Sequence, residues 1–332
     1  MRYARDIMRV VGADGILINL LMEPSEWRNL PHDGLDIHNK YRLEIAGKLL
    51  RKWAFSKLIE FINDIEDNAK IIHFTNQYSR PFRIDGITQI VSIQDSPSYR
   101  ETLSPINWIH TVNLYKSMQD IRYILTNTET LRLELLDRGY TGLVQSIHLP
   151  IPEGFHILSV DREKLRSQLG LPKNKKLILS VSSDLPRKNL AMVRSVMEKL
   201  GSDYKLVRVG PPVGDSITFS KISDDFLNEL YNASDILLFP SLYEGFGLPI
   251  VEAFATGLPV VTSNVDTIRE VAGDCAILSD PKDLNSVLSG VQEALKRSDE
   301  LSKQGLRRAQ MFRFEVFSER IKRFYESIAR QS

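Results

Sequence analysis

The sequence predicts an α/β protein built from two helix-covered parallel sheets. Three observations predict it. Short apolar runs of strand character alternate with amphipathic stretches through both halves of the chain. Asp235 to Val261 reads as strand, glycine loop, helix and strand, the repeating unit of such a sheet. Between the halves lies His148-Leu-Pro-Ile-Pro-Glu-Gly-Phe155, whose two prolines discourage both helix and ladder. This connector sets the domain boundary: residues 1–151, then 152–311, then a terminal amphipathic helix over 312–332.

Composition agrees. The 332 residues suffice for two domains, and 42% hydrophobic with 26% charged residues are globular values. A net charge of +1 gives no bulk field to recruit nucleic acid. The six histidines show no metal-ligand spacing, so no metal site is expected. The single cysteine, Cys275, excludes an internal disulfide and fits a reducing cytoplasm; its apolar context reads as a buried, inert thiol. No apolar run reaches the roughly 20 residues needed to span a bilayer. The opening Met1-Arg-Tyr-Ala-Arg-Asp6 does not read as a signal peptide. These features predict a cytoplasmic protein.

In chain order, Gly15 to Met22 reads as a strand or a helix start. Tyr41 to Ile65 has helical spacing of Leu43, Leu50, Trp53, Ala54, Leu58, Phe61 and Ile62, with Lys48, Arg51, Lys52 and Lys57 among them. It reads first as a domain helix with a solvated basic edge; the alternative is an interfacial helix making peripheral contact with anionic lipid. Strands follow at Ile71–Thr75, Gln89–Ile93 and Tyr123–Thr126, and Thr128 is placed to cap a helix. In the second half, Lys176–Val181 is a strand and Ser182–Lys188 its loop. Asn189 caps a helix running to about Leu200, and Gly201 stops it. Lys205–Gly210 is a strand with a glycine turn. Ser223 caps the next helix, whose Leu227, Leu230 and Tyr231 form a core face. Glu270 reads as a cap or structural pair. Asp280-Pro281 precedes a helix through Leu295.

The chemistry concentrates in Ser241-Leu-Tyr-Glu-Gly-Phe-Gly-Leu-Pro-Ile-Val-Glu252. A loop at the carboxyl end of a strand in such a sheet is where ligands bind. Gly245 and Gly247 let backbone N–H groups approach a ligand, and the following helix, opened by Pro249 and ended at Gly257, points its positive end at the same place. Glu244 and Glu252 flank that spot, Glu252 in the helix's first turn. A carboxylate accepts two hydrogen bonds, matching the vicinal hydroxyls of a sugar. Arg187 and Lys188 sit at another helix N-terminus, where the dipole disfavours cations unless an anion intervenes. Phosphate and sugar together suggest a nucleotide sugar.

These residues closely resemble the paired-glutamate motif of the family 4 retaining glycosyltransferases, with Pro240 to Pro249 near its consensus and Pro-Arg-Lys-Asn-Leu190 similar to its diphosphate segment. The resemblance implies the GT-B arrangement, two Rossmann-like domains facing across a cleft, with the terminal helix crossing back to the first. It implies transfer of a hexose from a nucleotide-diphosphate sugar to a glycan, lipid-linked or small-molecule acceptor, with the anomeric configuration kept and no cofactor or metal. Glu252 would hold the ribose diol. Glu244, with Gly245, Phe246, Gly247 and Leu248, would hold sugar hydroxyls. Arg187 and Lys188 would hold the diphosphate; Gly210 and Ile222 would border the nucleotide. Where relatives carry His-Asp, this sequence has Gln94-Asp95; Gln94 and His73 are the acceptor-side candidates. Gly12-Ala-Asp-Gly15 is a loose counterpart of the family's first glycine loop. Two other readings stand beside this one: a non-catalytic sugar-nucleotide-binding scaffold subunit, and a sugar-nucleotide epimerase.

Overall fold

A computed structural model describes residues 2–11, 71–75, 88–95, 116, 119 and 121–330. The expectations for Gly12–Gly15, Gly15–Met22 and the Tyr41–Ile65 helix lie outside these residues. The chain divides into two compact units. One comprises Met1–Thr126, Leu135–Gln145 and Arg320–Ser332; the other comprises Asn127–Glu134 and Ser146–Glu319.

In the first unit, β1 (Ile71–Phe74), β2 (Thr88–Ile93), β3 (Tyr123–Thr126) and β4 (Leu143–Ser146) form one sheet in that order, and β1–β2 and β2–β3 are parallel. Phe74, Val91, Ile93 and Ile124 pack on one face with Leu135 and Tyr140. Helix α1 (Arg2–Val11) buries Ala4, Ile7 and Val10, a stripe at helical spacing, and leaves Arg5 and Arg9 exposed. Its Tyr3 hydroxyl meets Ser92 Oγ of β2 at 2.8 Å. Helix α2 (Glu129–Asp137) begins as expected at Thr128, whose Oγ1 accepts the Leu131 N–H at 3.3 Å.

The second unit holds a six-stranded sheet. Its strands are β5 (Lys176–Val181), β6 (Tyr204–Val209), β7 (Ile217–Phe219), β8 (Ile236–Phe239), β9 (Val260–Ser263) and β10 (Ile277–Ser279). The order is β7-β6-β5-β8-β9-β10, and every pair is parallel. This is the doubly wound order of dinucleotide-binding sheets, and its switch point falls between β5 and β8.

Alternation along the strands builds two cores. Leu177, Leu179, Leu237 and Phe239 point to one face, against α5 (Asp224–Ala233), α6 (Leu248–Ala255) and α7 (Asp266–Ala272). Ile178, Ile236 and Leu238 point to the other, against α4 (Leu190–Leu200) and α8 (Leu284–Lys296). Helices α3 (Arg162–Gln168), α9 (Ser298–Ala309) and α10 (Phe314–Ala329) complete the described elements. Ser223 caps α5 by accepting the Phe226 N–H, as the sequence predicts. Strand β7 and helix α9 were not legible. The first is three residues of partial burial, and the second is polar over most of its length.

Candidate functional site

Two loops leave the sheet at the switch point. After β5 the chain runs through Ser182 to a short 3₁₀ turn, Pro186–Lys188, which leads into α4. After β8 it runs through Ser241 to Gly247 and enters α6. The loops are stitched together: the Leu242 N–H donates to the Arg187 carbonyl at 2.8 Å. Asn189 occupies the N-cap of α4, yet its side chain makes no cap bond. Its Nδ2 donates instead to the carbonyls of Pro240 (3.1 Å) and Pro281 (2.8 Å), and its backbone is left-handed, at φ 55°. The expected cap is therefore a brace between loops.

The structure brings Arg187, Lys188 and Glu244 into direct contact, though 56 and 57 residues separate the cations from the acid. Lys188 Nζ lies 2.5 Å from Glu244 Oε1, and Arg187 Nη1 lies 3.0 Å from Oε2. Arg187 Nη1 also donates to the Tyr243 carbonyl at 3.2 Å. Lys188 Nζ stands 5.4 Å from the centre of the Phe239 ring. Thr267 Oγ1 donates to the Glu244 carbonyl at 2.6 Å, fixing the loop from α7. The side chains are 19%, 13% and 7% exposed for Arg187, Lys188 and Glu244. Two cations share one carboxylate, so the cluster keeps one net positive charge away from bulk water. Such a charge favours an anion arriving from solution.

Glu252 is buried at 4% exposure, and the Tyr231 hydroxyl donates to its Oε2 at 2.8 Å. Helix α6 starts at Leu248, so Glu252 opens the second turn rather than lying in the first. Gly245 is buried. Gly247 caps α6 at φ 92°, a left-handed conformation that favours glycine. Phe246 is buried, with its ring 5.9 Å from His148 and 5.8 Å from Phe312. Gly210 follows β6 at φ 126°; a Cβ there would sit 2.1 Å from the Ser182 carbonyl oxygen, so only glycine fits. Ile222 packs against the core ahead of α5.

Glu270 pairs structurally, as expected. It accepts the N–H groups of Glu129 (2.6 Å) and Thr130 (2.8 Å), and His148 Nε2 at 2.8 Å. Burial raises its pKa, but these hydrogen bonds outweigh that and hold it below the usual carboxylate range.

The acceptor-side candidates belong to the first unit. Gln94 Nε2 donates to the Thr75 carbonyl at 2.9 Å. His73 has both ring nitrogens engaged, Nδ1 with Tyr325 Oη at 2.6 Å and Nε2 with Ser92 Oγ at 2.7 Å. Burial pushes its pKa down to about 3, so the ring is neutral at ordinary pH.

Sequence reasoning missed several partners of these residues. Tyr231 was assigned to the core, and it is there, but its hydroxyl also serves Glu252. Thr267, a residue of an ordinary short helix, gave no signal. Arg208 did carry one: an arginine set between two valines of a strand.

The chain is similar to known proteins. Residues 161–310 match the family model of group 1 glycosyl transferases. The O-antigen chain mannosyltransferase B of Escherichia coli is 36% identical over 115 residues, 34% of this chain and 30% of that protein. The MMP alpha-(1->4)-mannosyltransferase of Mycolicibacterium hassiacum is 32% identical over 206 residues, 54% and 47% of the two chains. The chain thus spans less than half the length of these relatives. A solved structure of Anabaena HepE in complex with UDP and glucose superposes with a TM-score of 0.68 at 18% identity, over 85% of this chain and 83% of that one. The likeness shows the GT-B class of fold.

Proposed function

We propose that this protein, whose residues 161–310 match the family model of group 1 glycosyl transferases, moves a hexose from a nucleotide-diphosphate sugar to an acceptor hydroxyl, with retention. The observation that carries the reading is the cluster at the switch point: two cations held on one carboxylate where an α/β sheet receives its ligand. HepE is described with UDP and glucose, which supports a nucleotide-sugar donor here. The two relatives named above are mannosyltransferases, so mannose is the first hexose to test.

Each residue then has a chemical task. The donor diphosphate takes Arg187 and Lys188 from Glu244. The bond between the anomeric carbon and the phosphate oxygen breaks, and negative charge grows on the leaving diphosphate. Preorganised cations in a site shielded from water stabilise that charge by several kcal/mol. Glu244, relieved of its cations, accepts from sugar hydroxyls, with the Phe246–Leu248 backbone beside it. Glu252, oriented by Tyr231, holds the ribose diol. The leaving phosphate oxygen takes the acceptor's proton as the new bond forms on the same face. No metal is needed in this scheme. The acceptor is a glycan, a lipid-linked glycan or a small molecule, with Gln94 on its side.

The test is a transfer assay with GDP- and UDP-hexoses against such acceptors, in wild type and Lys188→Ala. Wild-type product with a collapsed rate in the variant supports the reading; equal rates end it. Gln94 spends its amide on Thr75 and cannot transfer a proton, which favours a second reading as a sugar-nucleotide-binding scaffold. Tight donor binding with no product from any acceptor would select it.

A further inference from the structure

Arg208 lies on β6 opposite Ser180 of β5, one strand from the switch point. Its side chain is fully buried, at 0% exposure. Nη1 donates to the carbonyls of Ser180 (2.7 Å) and Val209 (2.6 Å). Nη2 donates to the Ser182 carbonyl and, at 3.0 Å, to Ser182 Oγ. Nε is buried with no partner among the described residues. No carboxylate pairs with this guanidinium among the described residues. The contrast is Arg166, also buried, which pairs with Asp235 at 2.8 Å.

A buried cation without a counter-charge is costly, and carbonyl dipoles offset the cost only in part. Burial pushes its pKa down to about 10, so it remains charged at neutral pH. Its position gives that charge a use. Ser182 is the first residue of the loop that ends in Arg187 and Lys188. Gly210, two residues beyond Arg208, presses its backbone against the same Ser182 carbonyl.

We propose that Arg208 is a positioning residue for the donor diphosphate: it fixes the root of the Ser182–Lys188 loop and adds a third, buried positive charge that attracts the pyrophosphate. The inference rests on the donor-site reading above. It assigns a role to a residue that need not touch the ligand, since a charge in a low-dielectric setting acts at a distance.

The experiment titrates UDP, GDP and their nucleosides into wild type, Arg208→Met, Arg208→Lys and Lys188→Ala, with thermal melts of each. The diphosphate that binds wild type is carried forward. Arg208→Met should bind it about tenfold or more weakly while its nucleoside loses little. Arg208→Lys should approach wild type at pH 7 and fall behind it as pH rises to 9, because a buried amine loses its proton sooner than a guanidinium. Equal losses for diphosphate and nucleoside in Arg208→Met mean a purely structural peg and overturn the proposal. Diphosphate affinity within twofold of wild type does so too. If Arg208→Met fails to fold, the pH profile of Arg208→Lys decides, and a profile parallel to wild type overturns the inference. Should Lys188→Ala also bind the diphosphate normally, the donor-site reading falls and this inference falls with it. A loss in Lys188→Ala alone removes only the role of Arg208.

Discussion

The two sheets treat polar side chains near their strand ends in opposite ways. In the first unit, His73, Ser92 and Gln94 are satisfied from within: His73 bridges Tyr325 and Ser92, Ser92 meets Tyr3, and Gln94 donates to Thr75. All of these groups are neutral, and the network ties helices to strands. In the second unit, Arg187, Lys188 and Glu244 leave a positive charge in excess, and Arg208 adds another with no acid paired to it among the described residues. Charge left uncompensated costs stability. On the donor-site reading proposed above, a site that keeps it trades stability for an anion. The comparison therefore sets a neutral polar network that ties elements together against a cluster that keeps positive charge.

The contrast can be broken in order of size. Lys188→Ala should lower kcat/KM for transfer by about 100- to 1,000-fold, the usual loss when one preorganised charge partner is removed. A change under tenfold would mean that the excess charge is decorative. Glu252→Gln should weaken donor binding by about tenfold, and Tyr231→Phe by a few-fold, because the buried carboxylate then lacks one donor. Donor titrations read both, and a Tyr231→Phe variant worse than Glu252→Gln would reverse the proposed hierarchy.

His73 supplies a smaller, pH-dependent effect on stability alone. Its folded pKa is about 3, and its unfolded pKa is near 6.5. The unfolded chain takes the proton first, so stability is whole above pH 6.5 and declines as pH falls toward 3. The slope is at most about 1.4 kcal/mol per pH unit. His73→Asn should flatten that part of the acid melting curve and leave donor affinity untouched. An unchanged slope would remove the histidine from the account. Smallest of all, a chelator should leave the transfer rate at its untreated value under the proposal that cationic side chains bear the diphosphate; a rate restored only by added divalent ion would contradict this.

Much of the second unit is legible in the sequence. Buried parallel strands announce themselves as apolar runs such as Ile236–Phe239 and Val260–Val261, and glycine and proline punctuate the loops between them. The site loops were readable for the same reason, because they follow those strands. What could not be read is pairing at long separation. Nothing local says that Glu244 will take both Arg187 and Lys188, or that Tyr231 will turn its hydroxyl to Glu252. Nor could the brace made by Asn189 be foreseen, because a helix-cap position ordinarily keeps that side chain at home.

Glu244 offers the most direct measurement. Under the proposed donor role it competes with the diphosphate for Arg187 and Lys188, which it pairs with at 3.0 and 2.5 Å, so Glu244→Gln should bind free GDP or UDP several-fold more tightly than wild type while transferring sugar far more slowly. Calorimetric titration of the nucleoside diphosphate into the two proteins decides it. Tighter binding in the variant is the predicted result; unchanged or weaker binding would show that the carboxylate does not stand where the diphosphate must.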